Sequence, residues 1–237
     1  MEDLELFYCA KLKRMFVSEK VNITSKFAPM PDLAQHVKEY AEELKKFEQK
    51  IAVVSEVDIE ARFSRIRTEE TNIGNWTADL IRTEMDTDIA LVNTGTIRAN
   101  GVFEAGFIKN KFLSECYPME DKLVKMNISG ELLLNVLENG VSLYPKYDGR
   151  FPAISGFKFQ FDPSKEAGSR LVEGSVVFDN GEVLEKEKRY SLSVKYFLMA
   201  GKDGYDAFLD PSIEVLTKNI EEAPTLPRVF LKHLSRL

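Results

Sequence analysis

The sequence predicts a mixed fold of the α/β or α+β class, and three observations carry that prediction. Apolar residues spaced three and four apart mark helices over Leu33–Ile51, Asn75–Met85 and the stretch after Ser129. Period-two alternation, with Val124, Met126 and Ile128 set against Lys125 and Asn127, marks strands among them. Hairpin signals gather late in the chain, above all at Asp179-Asn180-Gly181.

Residues 1–31 show no sustained period. Val21, Ile23, Phe27 and the Ala28-Pro-Met-Pro31 run read as an extended lead-in ending in a breaker. Leu33, Val37, Tyr40, Leu44, Phe47 and Ile51 then share one helical face, with Lys38, Glu42, Glu43, Lys45 and Lys46 over much of the rest and Asp32 as the helix start. Such a helix lays its stripe on a core, or else bridges to another domain. Ile51–Val57 reads as a strand, and Asn75–Met85 as a helix carrying the single tryptophan, Trp76. The apolar run Asp88–Asn93, stopped by Thr94-Gly95, suits a buried strand. Val124–Ile128 suits a half-buried one, after which Ser129 caps a helix whose inner face is Leu132, Leu133, Val136, Leu137 and Val141. Phe157, Phe159 and Phe161 alternate with polar residues, Val172–Phe178 leads into the hairpin turn, and Tyr190–Val194 gives a further strand. The tail after Pro224 has no clear assignment.

With 237 residues the chain makes one large domain, or one domain with an extension. Hydrophobic residues at 44 % and charged residues at 30 % exclude disordered, collagenous and coiled-coil readings. No stretch reaches the roughly 18 consecutive apolar residues of a membrane span. The start is acidic and lacks a signal-peptide core, so a cytoplasmic location is the default expectation. A net charge of −6 argues against non-specific nucleic-acid binding, but not against a small phosphorylated ligand that needs only one or two arginines. Two histidines (His36, His233) and two cysteines (Cys9, Cys116) exclude chemistry built on several histidines and a disulfide scaffold.

Several motifs fail. Gly201-Lys202 lacks the upstream glycine and the Ser/Thr of a phosphate-binding loop, and Ser155-Gly156 lacks the first glycine of a nucleophile elbow. Cys116 reads as a small buried hydrophobe and His36 as a solvated surface residue, while His233 has no partner spacing. The sequons at Asn22, Asn75 and Asn127 read as chance matches.

Four segments survive. Arg67-Thr-Glu-Glu-Thr-Asn-Ile-Gly-Asn75 runs into a helix, whose N-terminus favours an anion. Asn93-Thr-Gly-Thr-Ile-Arg98 follows a buried strand, where open α/β sheets place ligand loops. The others are Gly149-Arg-Phe-Pro-Ala-Ile-Ser-Gly156 and Tyr196-Phe-Leu-Met-Ala-Gly-Lys-Asp-Gly-Tyr205. Each singly has a plainer reading: Arg67 and Arg98 pair with Glu69 and Glu70, Phe197 packs in the core, and Asp203 is a turn residue.

Together and in this order, the segments resemble the C-terminal domain of the 5′-nucleotidase family, metal-dependent phosphoesterases of nucleoside monophosphates and their relatives. Pro118, Gly130-Glu-Leu-Leu133 and Leu137-Glu-Asn-Gly140 extend the likeness, which runs from about Ile51 to Phe208. The resemblance implies a layered α-β-β-α sandwich over 51–237, preceded by an extension and interdomain connector helix over 1–50. It implies no catalytic or metal-binding residue in this chain. Two divalent metals of the Zn, Mn or Mg type belong to an N-terminal metallophosphoesterase domain, upstream or in trans, whose Asp-x-His and Gly-Asn-His motifs do not occur here.

The substrate-binding residues it implies are Arg67, Asn93, Arg98, Met119, Phe197 and Asp203. Arg67 and Arg98 match arginines on the phosphate and ribose side, for which a guanidinium fork is suited. Asn93 matches an amide reaching base or ribose, Phe197 one of two aromatics that sandwich the base, and Asp203 the carboxylate that accepts from ribose hydroxyls. Met119 stands where the second aromatic is expected, Thr94 and Thr96 replace smaller residues, and Lys202 replaces a glycine. The implied function is recognition of a nucleoside monophosphate for hydrolysis. The rivals are a non-catalytic nucleotide-sensing or protein-interaction module, and a domain for a sugar phosphate or cyclic nucleotide. Neither a nucleic-acid partner nor a membrane span is expected.

Overall fold

The computed structural model describes residues 4–9, 11, 13–19 and 24–234. The chain divides into two compact units, 1–45 and 46–237. In the first, β1 (Leu4–Cys9) pairs antiparallel with β2 (Arg14–Glu19), Leu4 opposite Glu19 and Cys9 opposite Arg14. This hairpin falls in a stretch where the sequence shows no sustained period. Its connection, Ala10-Lys-Leu-Lys13, contains none of the Gly, Asn, Asp or Pro residues that announce a turn, and Lys13 takes the positive φ (48°) that glycine usually supplies. Val21 and Ile23 lie outside the described residues.

Helix α1 (Pro31–Gln49) starts on Pro31, one residue before the expected Asp32. Proline suits a first helical position, where its missing N–H is not needed. The apolar stripe is present but covered by nothing in the described residues: no residue of α1 is buried, and Val37 and Tyr40 are 66 % and 73 % exposed. The helical period specifies a face and not what covers it.

The second unit opens with β3 (Ile51–Ser55) and β4 (Ile59–Glu60), the short helix α2 (Phe63–Ile66), α3 (Asn72–Met85) and β5 (Ile89–Asn93). Strands β6 (Val102–Phe103) and β7 (Gly106–Lys109) return to pair with β4 and β3, and α4 (Lys111–Cys116) leads to β8 (Leu123–Ser129) and α5 (Gly130–Val141). Then come β9 (Pro152–Ser155), the paired β10 (Phe157–Lys158) and β11 (Val177–Phe178), and β12 (Arg189–Lys195). Helix α6 (Tyr196–Met199), β13 (Glu214–Val215) and α7 (Leu226–Leu234) complete the unit.

The central sheet has the order β13-β8-β12-β5-β9, with β12 and β5 parallel and the other neighbours antiparallel. Every residue of β5 is buried. Ile89 and Leu91 face a core formed with α5 and β8, whereas Ala90 and Val92 face one formed with α3, α4 and α7. A strand covered on both faces reads as a continuous apolar run, which is what Ile-Ala-Leu-Val is. The expected mixed α/β class is observed. Helices cover both faces of this sheet, while the further β structure is a set of short two-stranded ladders.

The caps explain two boundaries. The Thr71 hydroxyl accepts from Gly74 N at 3.4 Å, so α3 begins three residues before the expected Asn75. Ser129 Oγ accepts from Leu132 N at 3.3 Å, the cap expected for α5. The phenylalanine alternation overreaches. Only Phe157 and Lys158 stay in a strand, and Phe161 makes an isolated bridge to Leu171.

The tail, unassigned from sequence, forms α7, which buries Leu226, Val229, Phe230 and Leu234. It is tied to α3 through Glu84, whose carboxylate receives Lys232 Nζ and lies 3.3 Å from His233 Nε2. His233 thus has a partner that local spacing did not disclose. Burial pushes the Glu84 carboxyl up, but the hydrogen bonds and charge of Lys232 and His233 outweigh it and hold the group below its ordinary 4.5. A carboxyl lowered in the folded state contributes stability above its unfolded value and loses it as pH falls through the folded one. The urea midpoint is therefore expected to fall on acidification below about pH 4.5, and Glu84→Gln to flatten that part of the profile. An unchanged profile in the variant overturns the assignment.

Candidate functional site

Strands β5 and β12 run parallel side by side, so their C-terminal ends open on the same edge of the sheet and place Asn93 and Lys195 together. Asn93 is 3 % exposed. Its carboxamide is held at both ends: Oδ1 accepts from Thr96 Oγ1 at 2.8 Å, and Nδ2 donates to Asp203 Oδ2 at 2.8 Å. One amide hydrogen and one acceptor position remain for a ligand. Thr94 to Thr96 form a 3₁₀ turn, and Gly95 N donates to Gly149 O at 2.8 Å. A Cβ on either glycine would sit 3.0 Å from the other's Cα, so the two loops meet where only glycines fit.

Asp203 lies on the corner after α6, with φ 55° and ψ 28°, between Gly201 and Gly204. Its backbone oxygen accepts from Asn139 Nδ2 at 3.1 Å. Asn139 Oδ1 in turn takes Arg150 Nη1 at 3.2 Å, and Arg150 Nε is 3.1 Å from Asp148 Oδ1. The Tyr205 hydroxyl donates to Arg150 O at 2.6 Å, and burial together with the Asp203 charge pushes that phenol well up. Asp203 is thus a turn residue whose carboxylate also points at Asn93.

Arg67 is half-buried after α2. It stacks its guanidinium on Phe63 at 4.0 Å and donates from Nη1 to Tyr147 O at 2.9 Å, yet Nε is buried without a partner. Burial, then the neighbouring Arg98 charge, push this guanidinium below its ordinary value, against the pull of Asp148 and Asp203. Arg98 is exposed, and its backbone N–H donates to Cys116 O at 2.9 Å. The ion pairs entertained with Glu69 and Glu70 do not form: Glu69 takes Arg65 at 2.6 Å and Glu70 takes Asn75 Nδ2 at 2.6 Å. Two cationic groups thus lie near one another, with the Asp148 and Asp203 carboxylates acting on the same guanidinium.

Phe197 is half-buried on α6, against the core below. Met119 is 49 % exposed, bracketed by Cys116, which holds Arg98 N, and by Asp121, which pairs with Lys195 at 2.6 Å. Lys202 is exposed. Arg67, Arg98, Asn93 and Asp203 are joined by direct contact or charge, while Phe197 and Met119 are connected to them only through Lys195 and its partners. Sequence reasoning missed Lys195 and Asp121, and it held Thr96, Asn139 and Arg150 only as members of their motifs without a role. Lys195 alone left a trace, a charge at the inward end of an apolar strand.

A cavity of about 480 Å³ lies at the N-terminus of α3, lined among others by Thr94, Phe151, Ser155, Asn75, Asp79 and Phe161. None of the six candidate residues lines it. Among the described residues no group of three or more His, Cys, Asp or Glu side chains is placed to hold a metal ion. Cys116 is buried and its thiol is pushed far up by burial, which suits the packing role expected of it. No described helix is long and apolar enough to cross a membrane.

Residues 50–210 match the family described as 5′-nucleotidase, C-terminal domain. The trifunctional nucleotide phosphoesterase protein YfkN of Bacillus subtilis (strain 168) is 26 % identical over 188 residues, 77 % of this chain and 13 % of that protein. The snake venom 5′-nucleotidase of Crotalus adamanteus is 30 % identical over 156 residues, covering 59 % of this chain and 26 % of its own. The crystal structure of a 5′-nucleotidase precursor from Thermus thermophilus superposes with a TM-score of 0.76 at 28 % identity, over 98 % of this chain and 46 % of that one. The chain therefore spans less than half the length of each.

The Asp203 corner makes a stability test separable from a binding one. Asp203→Gly accepts the left-handed backbone but loses the carboxylate that takes Asn93 Nδ2, so its urea midpoint is expected to fall by that hydrogen bond alone, and the second variant is measured against it. Asp203→Val is expected to cost about 1–3 kcal/mol, since a β-branched residue resists it. Equal losses in the two variants count against a strained corner.

Proposed function

The chain belongs to the 5′-nucleotidase C-terminal domain family, and from that premise we propose that it recognises a nucleoside monophosphate and holds it for hydrolysis to nucleoside and phosphate. One observation carries the reading: Arg67 and Arg98 lie close enough for their charges to repel, and an esterified phosphate between them would neutralise both. Bidentate guanidinium geometry suits phosphate oxygens. Asn93 keeps a free donor and acceptor for ribose or base, and the Asp203 carboxylate accepts from sugar hydroxyls. Phe197 offers a ring for base stacking, worth about 1–3 kcal/mol.

Hydrolysis needs groups that the described residues do not supply. In this reading the metal-bearing N-terminal domain, in the same polypeptide or in trans, carries the reaction, and this unit contributes binding and orientation. A non-catalytic nucleotide-sensing or interaction module is the second reading, favoured by Met119, exposed where a second stacking ring is expected. A thioether contacts a purine face less directionally than an aromatic ring does.

Calorimetric titration of the chain with AMP separates the two. Micromolar binding is expected, weakened about tenfold or more by Arg98→Ala and by Phe197→Ala. A folded chain that does not bind AMP favours the interaction reading. The chain alone is also expected to release no phosphate from AMP with added Zn²⁺, Mn²⁺ or Mg²⁺. Chelator-sensitive turnover by the pure chain overturns that division of labour.

A further inference from the structure

Lys195 ends β12 two residues before Phe197 and is 4 % exposed. A lysine so deeply placed must answer for its charge, since desolvating an ammonium costs several kcal/mol unless it is paired. Its Nζ lies 2.6 Å from Asp121 Oδ2, donates to Thr96 Oγ1 at 3.0 Å, and sits 5.4 Å from the centroid of the Phe197 ring, over its face. These three partners belong to the segment after Met119, the Asn93–Arg98 loop and α6. One ammonium therefore joins three of the loops around the candidate site.

The direction of the hydrogen bonds adds a second point. Lys195 only donates, so the Thr96 hydroxyl accepts from it and turns its own proton to Asn93 Oδ1. That leaves Asn93 Nδ2 facing Asp203, which an ionised carboxylate accepts. The chain Lys195→Thr96→Asn93→Asp203 thus runs one way, from cation to anion, and its dipoles reinforce one another. When a sugar hydroxyl engages Asp203, the Lys195 end alone keeps the carboxamide from rotating. At the same time the cation lies over one face of Phe197, attracted by the ring quadrupole, and fixes where that ring stands.

We propose that Lys195 is a positioning residue of this site: through Thr96 it sets which way the Asn93 carboxamide points, and by contact it backs the Phe197 ring, so it governs recognition of the base end of the ligand and not of the phosphate. The inference rests on the nucleotide-binding reading above.

The test uses the full 237-residue chain, with AMP titrated by calorimetry and inorganic phosphate by ³¹P NMR. Lys195→Met keeps the stem's volume and leaves Asp121, whose side chain is 35 % exposed, to water. It is expected to weaken AMP about tenfold and inorganic phosphate by less than about twofold. Lys195→Arg, which restores donors, is expected to recover AMP binding to within about threefold of the parent. Thr96→Val, which breaks only the branch to Asn93, is expected to weaken AMP while sparing phosphate and to shift the Asn93 side-chain amide resonances. It carries the test if Lys195→Met does not fold. Equal losses for AMP and phosphate would mean a merely structural role and overturn the proposal, as would undiminished AMP binding in the variants. Failure of the parent chain to bind AMP instead overturns the functional reading, and the proposal falls with it.

Discussion

The Asn93 carboxamide is the fixed point around which the candidate site is arranged. It is nearly fully buried at the end of a strand covered on both faces, and both its ends are hydrogen-bonded. A side chain so held cannot adapt to a ligand, so the ligand must fit it. Four groups are placed by reference to it: Asp203 by direct contact, Thr96 by the loop that follows, Lys195 through Thr96, and Phe197 through Lys195. This is preorganisation in the physical sense, because the ordering cost is met during folding and not during binding. It depends on β5 and β12 lying parallel and adjacent, which delivers two loops distant in sequence to one edge of the sheet.

The polar groups are affordable there only because they satisfy one another. Asn93, Thr96 and Lys195 are all less than 9 % exposed, a placement that costs free energy for any group left unpaired. Arg67 departs from that rule. Its Nε has no partner, and its charge meets Arg98 with only indirect compensation from Asp148 and Asp203. One half of the site is thus internally complete and the other half is electrostatically open. That asymmetry fits a ligand with a neutral end and an anionic one.

Much of this was legible in the sequence where the signal was local. The continuous apolar run of β5, the alternation in β8 and the serine cap of α5 each follow from one rule applied to a few neighbouring residues, and each appears as expected. The loops that carry Asn93, Arg98 and Asp203 are legible as ordered motifs. What escaped depends on contacts far apart in the chain. The Lys195–Asp121 pair spans 74 positions between residues 121 and 195, and no window along the sequence contains both. The β1–β2 hairpin escaped because its turn lacks the usual residues. The α1 stripe is legible from its period, but amphipathicity describes a face and leaves its cover unspecified.

Gly95 and Gly149 carry a consequence beyond their geometry. Each occupies the space that the other's side chain would need, and a backbone hydrogen bond holds them at that distance. Neither loop can drift in sequence independently of the other. A residue larger than glycine at one position forces its loop outward, and with it either the Asn93–Arg98 turn or the segment that carries Arg150. The two loops therefore behave mechanically as one piece, pinned at their crossing.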